Sequence, residues 1–167
     1  METAEVLAEV LRDRTFYAAS GGGMTLSGGE PLAQPEFAAE LLAAAKREGL
    51  HTCIETSGGV PWSAFDGVLG TTDLFLYDLK ETDPGRHRQA TGVDLEPILG
   101  NLRRLHAAGA LIRLRLPVIP DCNDRPEHFA NVTHLLATLP GIKGPDRLPY
   151  HPLGRSKEAA LASQDHR

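Results

Sequence analysis

Residues 20–32 read SGGGMTLSGGEPL, a short strand-like run with glycines on both sides. A run of this kind between turn-forming glycines predicts a β-strand over 24–27 that ends at Gly28. A helical pattern follows, starting near Pro35, with apolar residues at helical spacing, and stopping at Gly49. This stretch therefore predicts one strand followed by one helix.

The same alternation continues in both directions. Helices are predicted from Thr3, Pro61, Pro97 and either Asn123 or Asp124, and strands over 51–56, 73–79, 111–119 and 147–151. Regular alternation predicts a parallel sheet with crossover helices. A closed eight-stranded barrel usually needs roughly 200 residues or more, and the chain has 167. We therefore expect an α/β domain that forms an incomplete, TIM-like barrel of about five parallel strands. A doubly wound open sheet is the alternative that the same pattern permits.

Composition excludes several classes of function. The net charge of -5 and the pI near 5.8 do not favour binding to nucleic acid or to an anionic membrane. No apolar run is long enough to cross a membrane, and the first residues, METAE, lack the features of a signal peptide. Cys53 and Cys122 have no disulfide or zinc-site spacing. We expect a cytoplasmic protein with two reduced thiols.

Polar residues end the predicted strands, where parallel α/β folds bind their ligands. They are Glu30, Glu55 with Thr56, Asp78 with Lys80, Arg113 with Arg115, and His151. Glu30 and Glu55 could pair with an ammonium group, and Lys80 or an arginine could meet a carboxylate, so the set suits a small zwitterionic ligand. The alternative is structural: Asp78 and Lys80 as an ion pair, and the two arginines as the solvated face of an edge strand.

The motifs together resemble the glycyl-radical enzyme activating enzymes, a branch of the radical S-adenosylmethionine superfamily. The resemblance rests on residues 20–32 and on later segments in the same order: HTCIETSG at 51–58, residues 73–80, RLPVIP at 115–120 and LPYHPLG at 148–154. It implies a single partial barrel domain over residues 1–167. The resemblance weakens after about Lys157, so the tail beyond that residue is a candidate for disorder.

The resemblance also implies roles for individual residues. Gly28, Gly29 and Glu30 match the motif that holds the ammonium group of S-adenosylmethionine, and Glu55 lies where relatives place an acidic residue near that group. The remaining implied contacts are Lys80 at the methionyl carboxylate or ribose, Arg115 and Pro117 along the far side of the ligand, and His151 near the adenosyl group. Glu55, Thr56 and Asp78 resemble a monovalent-cation site.

One feature departs from the family. Its members cleave S-adenosylmethionine reductively with a [4Fe–4S] cluster held by a CxxxCxxC motif, and Cys53 and Cys122 cannot replace that motif. The resemblance therefore implies a fragment of an activating enzyme, inactive as given, whose partner would be a glycyl-radical enzyme. The alternatives are a non-catalytic module that binds an adenosyl ligand or a partner protein, and a remnant without function. The first predicted strand would leave one edge of the sheet unpaired, and chains could associate through that edge.

Overall fold

The computed structural model describes residues 2–149. Within these residues there are five strands and seven α-helices, with at least one helix between each strand and the next. The strands are β1 (Gly23–Leu26), β2 (His51–Thr56), β3 (Leu74–Asp78), β4 (Ile112–Val118) and β5 (Lys143–Pro149). The helices are α1 (Thr3–Val10), α2 (Arg14–Ser20), α3 (Pro35–Arg47), α4 (Trp62–Asp66), α5 (Pro84–Thr91), α6 (Leu95–Ala107) and α7 (Pro126–Thr138).

The five strands form one parallel sheet in the order β1-β2-β3-β4-β5. Each strand therefore pairs with the strand that follows it in the chain. A doubly wound sheet reverses its strand order at a switch point, and the described residues contain no such reversal. The sequential order is that of part of a TIM-like barrel, which confirms the predicted fold class. In the described part of the chain, β1 and β5 are the edge strands.

Side chains alternate between the two faces of the sheet and so separate the core from the polar face. Ile54, Phe75, Tyr77 and Leu114 are buried, and they join one apolar cluster with residues of the helices. Burying side chains of this size contributes about 1.5–3 kcal/mol each. The hydroxyl of Tyr77 donates to the carbonyl of Ile98 at 2.7 Å, so the one polar atom of this core side chain is satisfied.

Gly58, just after β2, lies against this core. Its φ is +75°, and a Cβ built on it would lie 1.7 Å from the Oη of Tyr77. No side chain larger than hydrogen fits there without displacing the tyrosine. The chain must therefore carry glycine at the point where it leaves β2 and turns toward α4.

Several element boundaries differ from those predicted. Helix α5 was not predicted, and α6 starts two residues before Pro97. Arg125, rather than Asn123 or Asp124, is the N-cap residue of α7. Asn123 is buried, and its side-chain amide is already hydrogen-bonded to the loop around it.

The two ends of the described region bear on further predictions. Glu2, rather than Thr3, is the N-cap residue of α1. Strand β5 starts at Lys143, earlier than predicted, and ends at Pro149. His151 and the tail after Lys157 lie outside the described residues. Among the helices of residues 2–149, none is long and apolar enough to span a membrane.

Candidate functional site

A cluster of three charged side chains spans the ends of β2, β3 and β4. Asp78 and Arg115 are partners in the register of β3 and β4, which puts them at the same edge of the sheet. The guanidinium of Arg115 donates from Nη1 to Glu55 Oε1 at 2.8 Å and from Nε to Asp78 Oδ1 at 2.6 Å. We call Glu55, Asp78 and Arg115 the charged cluster. One arginine thus neutralises carboxylates from two neighbouring strands.

Burial strengthens the charged cluster. Only 14% of the Arg115 side chain is exposed, so the ion pairs are poorly screened by water. The hydrogen bond from Arg115, with a second from the hydroxyl of Ser27 at 2.6 Å, holds the pKa of Glu55 below its usual value. Burial opposes the charge of Arg115, but the hydrogen bonds to Asp78 and Glu55 outweigh it and raise its pKa. Glu55 and Arg115 are therefore both charged at neutral pH.

Glu30 holds the loop after β1 to the end of β2. Its Oε1 accepts from the hydroxyl of Thr56 at 2.9 Å and from the backbone N–H of Leu32 at 3.3 Å. Its Oε2 accepts from the backbone N–H and the hydroxyl of Ser57, at 3.0 and 2.9 Å. The carboxylate thus accepts four hydrogen bonds from the protein itself, and its pairing with a ligand ammonium stays a prediction.

Gly28 and Gly29 form the exposed part of the same loop. Gly28 has a φ of +132°, and a Cβ built on either residue would meet no atom within 4 Å. The backbone of this segment is therefore open to a ligand. Neither glycine lines the cleft described below.

The three residues expected to hold a monovalent cation do not share one face. The hydroxyl of Thr56 is buried on the opposite face from Glu55, where it donates to Glu30. Glu55 and Asp78 are on the same face, with Arg115 between them. A cation bound by these two carboxylates would have to displace the guanidinium of Arg115.

Two adjacent hollows open at the carboxyl ends of the strands. The strand-end cleft has a volume of about 180 Å³, and its lining includes Glu30, Ser57, Asp78, Lys80, His87 and Thr91. A larger hollow of about 730 Å³ is lined by residues that include Lys80, Arg86, Thr91, Pro117, Cys122 and Asn123. Lys80 and Thr91 line both. Glu30, Asp78 and Lys80 thus line the strand-end cleft, and Lys80 and Pro117 line the larger hollow beside it.

His87 and Thr91 were not predicted as site residues because α5 was not predicted. The helix has little apolar pattern, and His87 is its one buried residue. A signal was nevertheless present: Asp83 precedes Pro84, and Gly92 follows the last helical residue with a φ of +78°. An N-cap acid, a proline at the first helical position and a terminal glycine are typical of a short helix.

A second buried charged group joins the start of α5 to the start of α7. Arg125 donates to Glu81 Oε2 at 2.5 Å, and the Nδ1 of His128 lies 3.5 Å from Glu81 Oε1. Burial raises the pKa of Glu81, but hydrogen bonds from the backbone N–H of Asp83, from Arg125 and from Thr82 outweigh it, so the pKa is lowered. Burial lowers the pKa of His128, an effect that the charge of Glu81 partly offsets.

The two cysteines do not fit an iron–sulfur cluster. Cys53 is buried on β2, and burial raises the pKa of its thiol. Cys122 is exposed in the loop that follows β4. A cluster of this kind needs thiolates gathered in one place, and no set of three metal-ligating side chains occurs in residues 2–149.

Comparison with known proteins adds three findings. The family model described as Radical SAM superfamily matches residues 1–133. The isethionate sulfite-lyase activating enzyme of Nitratidesulfovibrio vulgaris is 45% identical over 155 residues, which are 92% of this chain and 50% of that protein. The pyruvate formate-lyase-activating enzyme of Listeria monocytogenes is 35% identical over 156 residues, which are 90% of this chain and 63% of that protein.

A solved structure agrees with these sequence matches. The crystal structure of a domain of pyruvate-formate lyase-activating enzyme from Bacteroides vulgatus superposes with a TM-score of 0.72 at 30% identity. The match covers 86% of this chain and 94% of that domain. The chain spans about half the length of curated activating enzymes that it matches.

Proposed function

The chain belongs to the glycyl-radical enzyme activating enzymes of the radical SAM superfamily, and we propose that it forms the S-adenosylmethionine-binding part of such an enzyme. The activity of the longer protein would be reductive cleavage of S-adenosylmethionine, with formation of a glycyl radical on a partner glycyl-radical enzyme. The ligand would lie at the carboxyl ends of β1 to β4, around Lys80.

Charge at the strand ends is the observation that carries this proposal. Glu30, Glu55 and Asp78 are acidic, whereas Lys80 and Arg115 are basic, which leaves one net negative charge. S-adenosylmethionine has an ammonium, a carboxylate and a sulfonium group, and so one net positive charge. Opposite net charge at the strand ends favours binding. The larger hollow, of about 730 Å³, falls within the roughly 300–1,000 Å³ of small-molecule sites.

The contacts proposed for the ligand combine the roles that the resemblance implies with the groups that the structure leaves free. The exposed backbone of Gly28 and Gly29 would meet the ammonium group, because the Glu30 carboxylate is already hydrogen-bonded. Lys80 would meet the methionyl carboxylate or the ribose, and Arg115 and Pro117 would line the far side. His151, outside the described residues, is proposed for the adenosyl group.

The iron–sulfur cluster is not assigned to any residue of this sequence. When bound in relatives it supplies the electron for reductive cleavage, and Cys53 and Cys122 do not fit its ligands. The proposal for this chain therefore concerns binding and orientation of S-adenosylmethionine. A partner glycyl-radical enzyme is proposed from the family alone, and no surface is assigned to it.

Calorimetry with S-adenosylmethionine tests the proposal. We expect a saturable heat for the wild-type chain and about a tenfold or greater loss of affinity for Lys80→Ala, because a charged hydrogen bond contributes roughly 1.5–3 kcal/mol. Lys143→Ala is the matched control, since Lys143 is exposed at the start of β5, the opposite end of a parallel strand. S-adenosylhomocysteine, which lacks the sulfonium charge, should bind more weakly. A flat trace for the wild type, or equal affinity in both variants, would contradict the proposed site.

A further inference from the structure

The imidazole of His87 is held in one orientation by its own loop. His87 is 2% exposed, and its Nδ1 lies 3.1 Å from the carbonyl oxygen of Val93 and 3.2 Å from the hydroxyl of Thr91. A carbonyl oxygen can only accept a hydrogen bond, so Nδ1 must carry the hydrogen. In the neutral ring, Nε2 then has a free lone pair and is an acceptor.

This acceptor faces the strand-end cleft. His87 lines the cleft, and the hydrogen bonds of its ring within residues 2–149 involve Nδ1 alone. Within the same residues, the buried side-chain nitrogen and oxygen atoms without a partner are Arg125 Nε and His128 Nε2. The Nε2 of His87 is not one of these two atoms, so this nitrogen keeps some accessible surface. The strand-end cleft is the hollow that His87 lines.

The rest of the cleft lining favours a ligand group that donates hydrogen bonds. Asp78 gives its Oδ1 to Arg115, and among the described residues its Oδ2 accepts no hydrogen bond. The lining also includes the occupied carboxylate of Glu30, and Lys80 is its one cationic side chain. Two free acceptors, Asp78 Oδ2 and His87 Nε2, thus line the same small cleft.

We propose that His87 is a further ligand-binding residue, whose Nε2 accepts a hydrogen bond from the ammonium or a ribose hydroxyl of the bound adenosyl amino acid. This proposal rests on the proposed function. It adds a contact from α5 to those proposed for the loop after β1 and for Lys80. It also gives a role to the short helix that the sequence pattern did not reveal.

Two substitutions of His87 distinguish its proposed contact with the ligand from its structural contact with Val93. In His87→Asn the side-chain amide can still donate to Val93, as Nδ1 does, but no atom takes the place of Nε2. In His87→Gln the longer side chain can return an acceptor near Nε2 but does not keep the Val93 contact. We expect H87N to bind S-adenosylmethionine about fivefold to tenfold more weakly, as for one lost hydrogen bond, with a melting temperature near that of wild type. We expect H87Q to bind within about twofold of wild type and to melt at a lower temperature.

The result that overturns the proposal is equal affinity of H87N and wild type, which would leave His87 as a loop anchor only. A wild-type chain that binds no S-adenosylmethionine overturns both this proposal and the proposed function. Methylthioadenosine, which has the ribose but no ammonium, identifies the donor. If H87N also weakens its binding, the donor is a ribose hydroxyl, whereas an effect on S-adenosylmethionine alone points to the ammonium.

A second measurement does not depend on affinity. Nitrogen-15 NMR of the histidine rings should report the Nδ1–H tautomer for His87 in the free chain. Addition of S-adenosylmethionine should then shift the Nε2 resonance of His87. An Nε2–H tautomer in the free chain would contradict the proposed acceptor.

Discussion

Replacement of Arg115 by methionine should strongly destabilise the fold, because it leaves two carboxylates of the charged cluster without their partner. Methionine keeps most of the length and the apolar stem but removes both hydrogen bonds. The exposed fractions of the Glu55 and Asp78 side chains are 31% and 23%. Removing one partner of a fully buried pair costs about 3–5 kcal/mol. Since these groups keep some contact with water, we expect a loss of about 3 kcal/mol.

Arg113→Met is the matched control on the same strand. Arg113 lies two residues before Arg115 and pairs with Asp146 at 2.9 Å, but their side chains are 47% and 38% exposed. A surface pair of this kind contributes about 0–1 kcal/mol. The two variants remove the same atoms from the same strand, so a difference in stability reports the burial of the charges and the second carboxylate that Arg115 holds.

Urea unfolding followed by the fluorescence of Trp62, the single tryptophan, provides the assay. With a slope of about 2 kcal/mol per molar urea, R115M should lower the midpoint by about 1.5 M and R113M by less than about 0.5 M. Adding Glu55→Gln and Asp78→Asn to R115M should recover part of the loss, because no unpaired charge then remains. Equal midpoint shifts for the two arginine variants would refute the reasoning.

Two further predictions concern the core and the second charged group. Gly58→Ala should lower the free energy of unfolding by about 2 kcal/mol more than Gly49→Ala does. Both residues have a φ of +75°, but only a Cβ at Gly58 would overlap Tyr77. Equal decreases in the free energy of unfolding for the two variants would show that contact with Tyr77 does not require glycine at position 58. The free energy of unfolding should decrease as the pH is lowered from 7 to 5. Burial lowers the pKa of His128 in the folded chain, so the unfolded chain takes up the proton first, with a slope of up to about 1.4 kcal/mol per pH unit. His128→Leu should flatten this slope, whereas the exposed control His134→Leu should not; an unchanged slope in His128→Leu would contradict the assignment.

The sequence predicted those features that depend on local pattern. The strand-like runs at 51–56 and 73–79 became β2 and β3 because side chains such as Ile54, Phe75 and Tyr77 are buried in the core, and alternation placed Asp78 and Arg115 on the polar face. Helix α5 was not predicted because it buries one polar residue and has no apolar stripe. Local pattern does not reveal partners that are distant in the chain. The hydrogen bonds of Glu30 and the pairing of Arg115 with Glu55 depend on how neighbouring strands are aligned, which only the assembled sheet defines.

The sequential strand order also has a kinetic consequence. Gly23 pairs with His51, Cys53 with Leu74, Phe75 with Ile112 and Arg113 with Lys143. Each pairing closes a loop of roughly 20 to 40 residues, and the entropy of closure rises by only about 0.6 kcal/mol for each doubling of length. No strand must wait for a distant segment before it can pair, so folding can start at any neighbouring pair and spread to both sides. The sheet can therefore assemble one strand at a time, and the entropic cost of adding a strand is nearly the same at each step.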